Sequence, residues 1–286
     1  METNKDIVII IPTNGRQNYL NRVAYYYSQF SMDTYICDAY QTRYKIDYYD
    51  KIHYLWDPNK GFFEEIIDVI EKTDAKYYVL SPDDDFIKYE TCIECHDEME
   101  KDETILLSTG RQLFFHEEYD GQFIYYNAHN RLASSKKQLF DKADYKSFWR
   151  GYQNIHWSLF RRDFLLNTLK KLEYAKYNNA NFTELTMGFE ALLNGKILMS
   201  PNFFNYREES TKPHWGTIAT VTNWRNFVFT SELHSDVKKL KKIYNSDFLF
   251  VLRSLYYFLG EPSIVLKRKM KYMLGWTNKP LLGGGN

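Results

Sequence analysis

The sequence predicts an α/β protein, with a mostly parallel central sheet flanked by helices and a helical extension at its C-terminal end. Three observations predict it. Short uninterrupted apolar runs rich in β-branched residues recur in the first third of the chain, as strands buried on both faces require. Segments with apolar residues at helical spacing separate them. The runs end in turn or acidic residues, where open parallel sheets keep their ligand crevice.

The elements follow in order. Ile7-Val8-Ile9-Ile10-Ile11 is the first buried strand, stopped by Pro12, and Thr13-Asn14-Gly15 is turn chemistry. Gln17 to Phe30 sets Leu20, Val23, Ala24 and Tyr27 on one helical face. Thr34 to Asp38 reads as a second strand ending in an acid, and Lys51 to Leu55 as a third, closed by Trp56-Asp57-Pro58. Phe62 to Thr73 is amphipathic, with Phe63, Ile66, Ile67 and Ile70 together. Lys76 to Leu80 is the next strand, and Asp83-Asp84-Asp85 lies just past its end.

Further on, Ile105 to Ser108 and Gln122 to Tyr126 read as strands, with Tyr119-Asp120-Gly121 turning between them. Phe164 to Leu172 and Thr183 to Asn194 read as helices, the second closed by Gly195. Lys196 to Met199 suits a strand, stopped by Pro201. From Thr230 the pattern changes to two or three helices, broken at Gly260-Glu261-Pro262. The expected division is an α/β domain over residues 1–228 and a helical extension over 229–286. No internal repeat is apparent.

Composition narrows the class of function. Lys and Arg balance Asp and Glu at 37 each, so no global field draws the chain to nucleic acid. Three cysteines do not make a disulfide framework. The opening residues are polar, and no apolar run reaches the roughly 18 residues that span a bilayer. A reduced, cytoplasmic protein is expected. The 25 Tyr and 20 Phe offer sugar-stacking faces, or reflect a compositional bias that also enriches Asn, Lys and Ile.

Asp83-Asp84-Asp85 is the first chemical candidate. Adjacent carboxylates repel unless a cation neutralises them, and Mg²⁺ or Mn²⁺ takes such oxygens together with phosphate oxygens. The alternative is a solvated turn, since Ser-Pro-Asp-Asp-Asp is good turn sequence. A second candidate is Cys92-Ile93-Glu94-Cys95-His96, the C-x-x-C-H spacing of c-type haem attachment. Its surroundings argue against that reading. Glu90, Glu94, Asp97, Glu98 and Glu100 crowd it, no second Cys or His pair completes a zinc site, and it lies inside a helix starting near Tyr89.

The ordered series "DIVIIIPTNGRQNYLNRVAYYYSQF", a strand ending in Asp38, and "NKGFFEEIIDVIEKTDAKYYVLSPDDDF" resembles the nucleotide-binding half of family-2-like bacterial glycosyltransferases of the GT-A, Rossmann-like fold. It is most similar to a subgroup with an Asp-Asp-Asp-Phe segment. The resemblance runs over residues 6 to 90 and, more loosely, 150 to 210. It implies that Pro12, Thr13 and Arg16 lie beside a nucleotide and that Asp38 contacts base or ribose. Lys60 would sit near the diphosphate. Asp83, Asp84 and Asp85 would form the nucleotide-sugar and metal site, with Asp85 the direct ligand of Mg²⁺ or Mn²⁺ and Asp83 nearer the ribose.

The family's general base opens a helix about 100 residues later, where Glu184 stands in "NFTELTMGFEALLNG". The following acid of the family is Leu185 here. Thr183-Glu184 also reads as helix-start chemistry, and Glu190 is a second acid on a different face. His156 and Trp157 would line an acceptor pocket, with Trp215 a further stacking candidate. His214 would be a late metal ligand, and Arg207 would pair with the diphosphate. The basic, apolar stretches "DVKKLKKIY" and "IVLKRKMKYMLGW" either touch an anionic membrane or pack with their lysines outward.

The expected function is metal-dependent, inverting transfer of a sugar from a nucleotide-diphosphate sugar to a hydroxyl of a glycan or lipid-linked glycan, in capsule, lipopolysaccharide or similar synthesis. Two rivals stand beside it. A nucleotidyltransferase acting on a sugar phosphate would want a glycine-rich phosphate loop, and Pro12-Thr13-Asn14-Gly15-Arg16 is poor in glycine. An inactive sugar- or nucleotide-binding module would tolerate Leu185.

Overall fold

The computed structural model of the chain describes residues 6–47, 49–117, 123–127, 136–152, 154–208 and 231–259. Its sheet begins with strand β1 (Ile7–Thr13), every residue of which is buried. Successive side chains of a strand point to opposite faces. Ile7, Ile9 and Ile11 therefore join one apolar cluster, while Val8 and Ile10 join the other. A run without polar alternation is what a strand covered on both faces demands.

Helix α1 (Gln17–Ser28) buries Leu20, Val23, Ala24 and Tyr27, as its spacing predicts. Strands β2 (Asp33–Asp38) and β3 (Ile52–Trp56) add in parallel on one side of β1, and β4 (Tyr77–Leu80) adds in parallel on the other. Helix α2 (Phe62–Lys72) connects β3 to β4. Parallel pairing requires such crossovers. Because β1, β2 and β4 run the same way, Thr13, Asp38 and the residues after Leu80 emerge at one edge of the sheet.

Beyond β4 the sheet becomes mixed. After β5 (Phe86–Ile87) and helix α3 (Tyr89–Lys101) come β6 (Ile105–Glu117), β7 (Phe123–Asn127) and β8 (Gln138–Phe140). Helix α4 (Tyr145–Arg150), β9 (Leu159–Arg161), α5 (Arg162–Ala175), α6 (Ala180–Asn194) and β10 (Lys196–Glu208) follow. The strand order is β3-β2-β1-β4-β9-β6-β10-β5, with β7 on β6 and β8 on β10. β9 is antiparallel to both its neighbours, whereas β6 and β10 pair in parallel.

Two strands are longer than their sequence signals. β6 continues past Ser108 to Glu117. β10 does not stop at Pro201: it runs on to Glu208, with a shift of register between Met199 and Phe203. Proline cannot donate to a ladder, and an irregularity is where a sheet accommodates it.

Cys92 and Cys95 are core residues of α3, each about 1% exposed, and pack with Leu20, Tyr27 and Phe204. Burial raises both thiols, Cys95 to about 12, so neither is a ready thiolate ligand. The C-x-x-C-H spelling is a buried helix face.

Helices α7 (Ser231–Ile243) and α8 (Phe248–Leu259) close the described chain. Val237, Leu240, Tyr244, Phe248, Val251 and Leu255 enter the same apolar cluster as Trp149, Phe182 and Phe189. At about 1.5–3 kcal/mol per large buried side chain, this is substantial packing on the α/β core. The stretch "DVKKLKKIY" is part of this packing. "IVLKRKMKYMLGW" and the break at Gly260-Glu261-Pro262 lie outside the described residues. No helix among the described residues is long and apolar enough to cross a membrane.

Candidate active site

The carboxyl ends of β1 and β4 meet at the acidic triplet. Gly15, at φ +74°, turns the chain from β1 into α1, and a Cβ there would stand 2.9 Å from the Tyr40 ring. This turn brings Arg16 back over the sheet edge. Thr13 Oγ1 donates to Asp83 Oδ2 at 2.6 Å, and Arg16 Nη1 donates to Asp83 Oδ1 at 2.8 Å. The other arm of the same guanidinium holds Asp84. Pro12, one residue before Thr13, is buried in β1.

The far side of the triplet is built by the end of β10. Arg207 Nε lies 3.2 Å from Asp85 Oδ2, and the Glu208 backbone N–H donates to Asp85 Oδ1 at 2.9 Å. Glu208 itself pairs with Arg22, which also reaches the Asp84 carbonyl at 3.2 Å. The guanidiniums of Arg16 and Arg22 each lie 4.8 Å from the Tyr19 ring centre. Sequence reading found the Asp triplet, Arg16 and Arg207; it missed Glu208, whose partner is 186 residues away.

Arg207 also ties the triplet to the candidate base. Its Nη1 donates to Gln112 Oε1 at 3.4 Å, and Gln112 Nε2 donates to the Asn154 carbonyl at 3.2 Å. Asn154 Nδ2 then donates to Glu184 Oε2 at 3.0 Å, while Tyr152 OH holds Glu184 Oε1. Asp85 and Glu184 are thus ends of one hydrogen-bonded path. Asn179, not Thr183 or Glu184, starts helix α6, its Oδ1 accepting from the Asn181 N–H at 2.9 Å. The helix-start reading of Glu184 is therefore taken by another residue. Glu190 is buried on a different face, against Lys171 at 2.7 Å.

The acids here are poorly compensated. Burial pushes Asp83 up to about 6, against the Thr13 hydrogen bond and Arg16, with Asp84 adding to the rise. Burial also raises Asp85, against Arg207, and again Asp84 adds to it. Glu184 is raised by burial, against the Tyr152 bond and the charge of Arg207. Asp83, Asp84, Asp85, Glu184 and Glu208 stand against Arg16, Arg22 and Arg207, an excess of acid, with Asp83 and Asp85 buried, that a cation would relieve.

The donor set tests the fit of a metal. These are hard oxygens, which suit Mg²⁺ or Mn²⁺. Among the described residues, however, no three His, Cys, Asp or Glu gather to hold a metal ion. Both Asp85 oxygens are already engaged. The residues fit an ion that arrives with phosphate oxygens, since Mg²⁺ is commonly held by one or two carboxylates plus substrate. His214 and Trp215 lie outside the described residues.

Asp38 sits at the end of β2, 2% exposed. Its Oδ1 accepts from the Tyr40 N–H at 2.9 Å and its Oδ2 from Tyr54 OH at 2.6 Å. Lys60 is held by Asp68 on α2, with Asp57 at 3.9 Å, and no bond joins it to the triplet. His156 lies in the loop before β9. It is buried against Phe62 and Trp157, and burial lowers it to about 4, so it is neutral near pH 7. That loop runs beside the end of β4, where the Leu80 N–H donates to the Ser158 carbonyl at 3.2 Å.

Glu65, on α2, carries no sequence signal beyond its helix. Burial, then the charge of Asp38, push it from its usual 4.5 to about 8. An unfolded glutamate loses its proton first, so this group's contribution declines as pH rises from about 4.5 to about 8. Glu65→Gln is expected to stabilise the protein by roughly 2–4 kcal/mol at about pH 8 and by little near pH 4. Urea unfolding at both pH values measures this, and an equal effect at both would refute it.

No family model and no curated protein sequence matches this chain. Its likeness is structural. The arrangement of the sheet and its helices is the GT-A glycosyltransferase fold expected from the sequence. Over 94% of its length the chain aligns with S. aureus TarS 1–349 in complex with UDP-GlcNAc, at TM-score 0.59 and 10% identity, covering 80% of that chain. The complex of the same fragment with UDP gives TM-score 0.56 at 10% identity, over 94% of this chain and 79% of that one. Against a longer S. aureus TarS chain the score is 0.54 at 11% identity, over 89% of this chain but 43% of that one.

Proposed function

We propose that this protein is a metal-dependent, inverting glycosyltransferase that moves a sugar from a nucleoside-diphosphate sugar to a hydroxyl of a glycan or lipid-linked glycan. The carrying observation is the path from Asp85 through Arg207, Gln112 and Asn154 to Glu184. It joins Asp85 and Glu184 by hydrogen bonds, which supports reading the first as part of a phosphate-and-cation site and the second as the base. A fold shared with a UDP-GlcNAc-bound structure supports the same donor class.

Thr13, Arg16 and Asp38 would bind the nucleotide along the ends of β1 and β2. Asp83 and Asp85 would hold Mg²⁺ or Mn²⁺, which supplies charge stabilisation for the departing diphosphate. Arg207 exchanges its contact with Asp85 for a phosphate oxygen, since a guanidinium matches either anion. Glu184 accepts the proton of the acceptor hydroxyl at a carboxylate oxygen as that hydroxyl oxygen attacks the sugar. His156, neutral and beside Trp157, would face an acceptor sugar without adding charge. The triplet's bonds to Arg16 and Arg207, rather than to solvent, favour this reading over an acidic turn.

The reading is tested by melting the full chain with a panel of nucleotide sugars, with and without Mn²⁺. A ligand at about 100 times its Kd stabilises by roughly 2.7 kcal/mol, which is a rise of about 5 °C or more for a chain of this size. A donor whose shift requires Mn²⁺ is the expected result. No shift with any nucleotide sugar would refute it.

A further inference from the structure

The helices after residue 230 reach the candidate base. Tyr152 lies in the loop after α4, and its ring is enclosed by aromatic rings. Trp149 stacks on it at 5.1 Å and 22°, while Phe148 and Phe258 meet it edge-on at 5.7 Å and 5.3 Å. Phe258 belongs to α8 and also contacts Trp149 at 6.0 Å. The only polar atom of this ring is the hydroxyl, and it bonds Glu184 Oε1.

Asn154, two residues on, holds the other oxygen of Glu184. Its amide is oriented by its own Oδ1, which accepts from the His156 N–H at 3.0 Å. One loop therefore grips both carboxylate oxygens. Helix α6 is shaped to receive it: one turn after Glu184, Gly188 lets Trp149 close in, and a Cβ there would stand 2.7 Å from the indole. The start of α6 is pinned by α7. Buried Asp236 accepts from the Asn178 and Asn179 N–H groups, both at 2.9 Å.

We propose that Tyr152 is a positioning residue for Glu184, and that helix α8 sets its place through Phe258. The C-terminal helices are then part of the machinery that aims the base, not an appendage to it. The inference rests on the reading of Glu184 as base only for its catalytic consequence; the positioning itself is a property of the protein alone. The charged and titratable groups facing Glu184 are Tyr152 from the loop and Arg207 from β10. Both favour its ionised form, so removing the Tyr152 hydroxyl must raise its midpoint.

The experiment follows the Glu184 carboxyl directly, by ¹³C NMR of the full chain labelled at the glutamate carboxyl carbon, with the signal assigned by its loss in Glu184→Gln. In Tyr152→Phe, which keeps the ring and its packing, the Glu184 midpoint is expected to rise by about one pH unit. Phe258→Leu, which keeps an apolar side chain on α8, is expected to move it the same way by a smaller amount. An unchanged midpoint in both variants overturns the proposal. Movement in Tyr152→Phe alone overturns the part assigned to α8. Turnover of UDP-GlcNAc, the probe for activity, separates the two readings. Normal turnover by Glu184→Gln would refute the base while leaving the carboxyl titration to decide the positioning.

Discussion

Glu184→Gln is expected to lower sugar transfer by about 10²- to 10⁴-fold, the usual worth of a positioned general base. The substitution leaves the site's shape intact. Glutamine keeps one of the two bonds: its carbonyl can accept from Tyr152 OH or from Asn154 Nδ2, but its NH2 cannot accept from the other. A donor left unpaired costs about 1–3 kcal/mol, and the loss of a carboxylate that burial disfavours offsets it. Stability and donor binding should therefore be nearly unchanged while kcat falls. Single-turnover transfer beside a nucleotide-sugar melting curve makes the distinction. Normal transfer would mean that the base lies elsewhere, and loss of donor binding would mean that Glu184 acts on the donor.

Asp85→Asn is the second large effect. Turnover should fall by at least about 10²- to 10³-fold, as when one preorganised charge-stabilising group is removed. The dependence of donor-induced stabilisation on Mn²⁺ should disappear with it. The unliganded protein should change little. Asparagine can accept from the Glu208 N–H or from Arg207, but not from both, which forfeits one bond. Against that loss, a carboxylate that burial disfavours is no longer held ionised. The two effects oppose, leaving a net change of about 1 kcal/mol. Retained activity would sink the metal-site assignment.

The parts of this site that the sequence made legible share one property: their meaning is set locally. Ile7 to Pro12, Thr34 to Asp38 and Lys76 to Leu80 announce buried strands by composition, and their ends coincide at a sheet edge once the strands are parallel. The position of Thr13, Asp38 and Asp83 at that edge follows from this, while their roles toward a nucleotide are what the family resemblance implies. Gln112, Tyr152 and Asn154 carried no such signal. Gln112 sits where β6 outruns its apolar segment, and the other two lie in an irregular loop. Each acquires its role from a partner at least 30 residues away. Pro201 misled for the opposite reason. A local strand breaker was outweighed by the flanking ladder with β6, which runs on to Glu208.

The long strand β10 has a consequence for the order of assembly. Its final residues, Arg207 and Glu208, complete the turn at Asp85 from 122 and 123 positions further along the chain. Short-range elements form first, and contacts of large sequence separation come late because loop closure must precede them. During synthesis the acidic triplet therefore leaves the ribosome well before Arg207 and Glu208, which restrain Asp85. The Asp85 side of the triplet is completed only when β10 has formed, so the nascent chain passes through a stage with β1, β2 and β4 present and Asp85 not yet restrained.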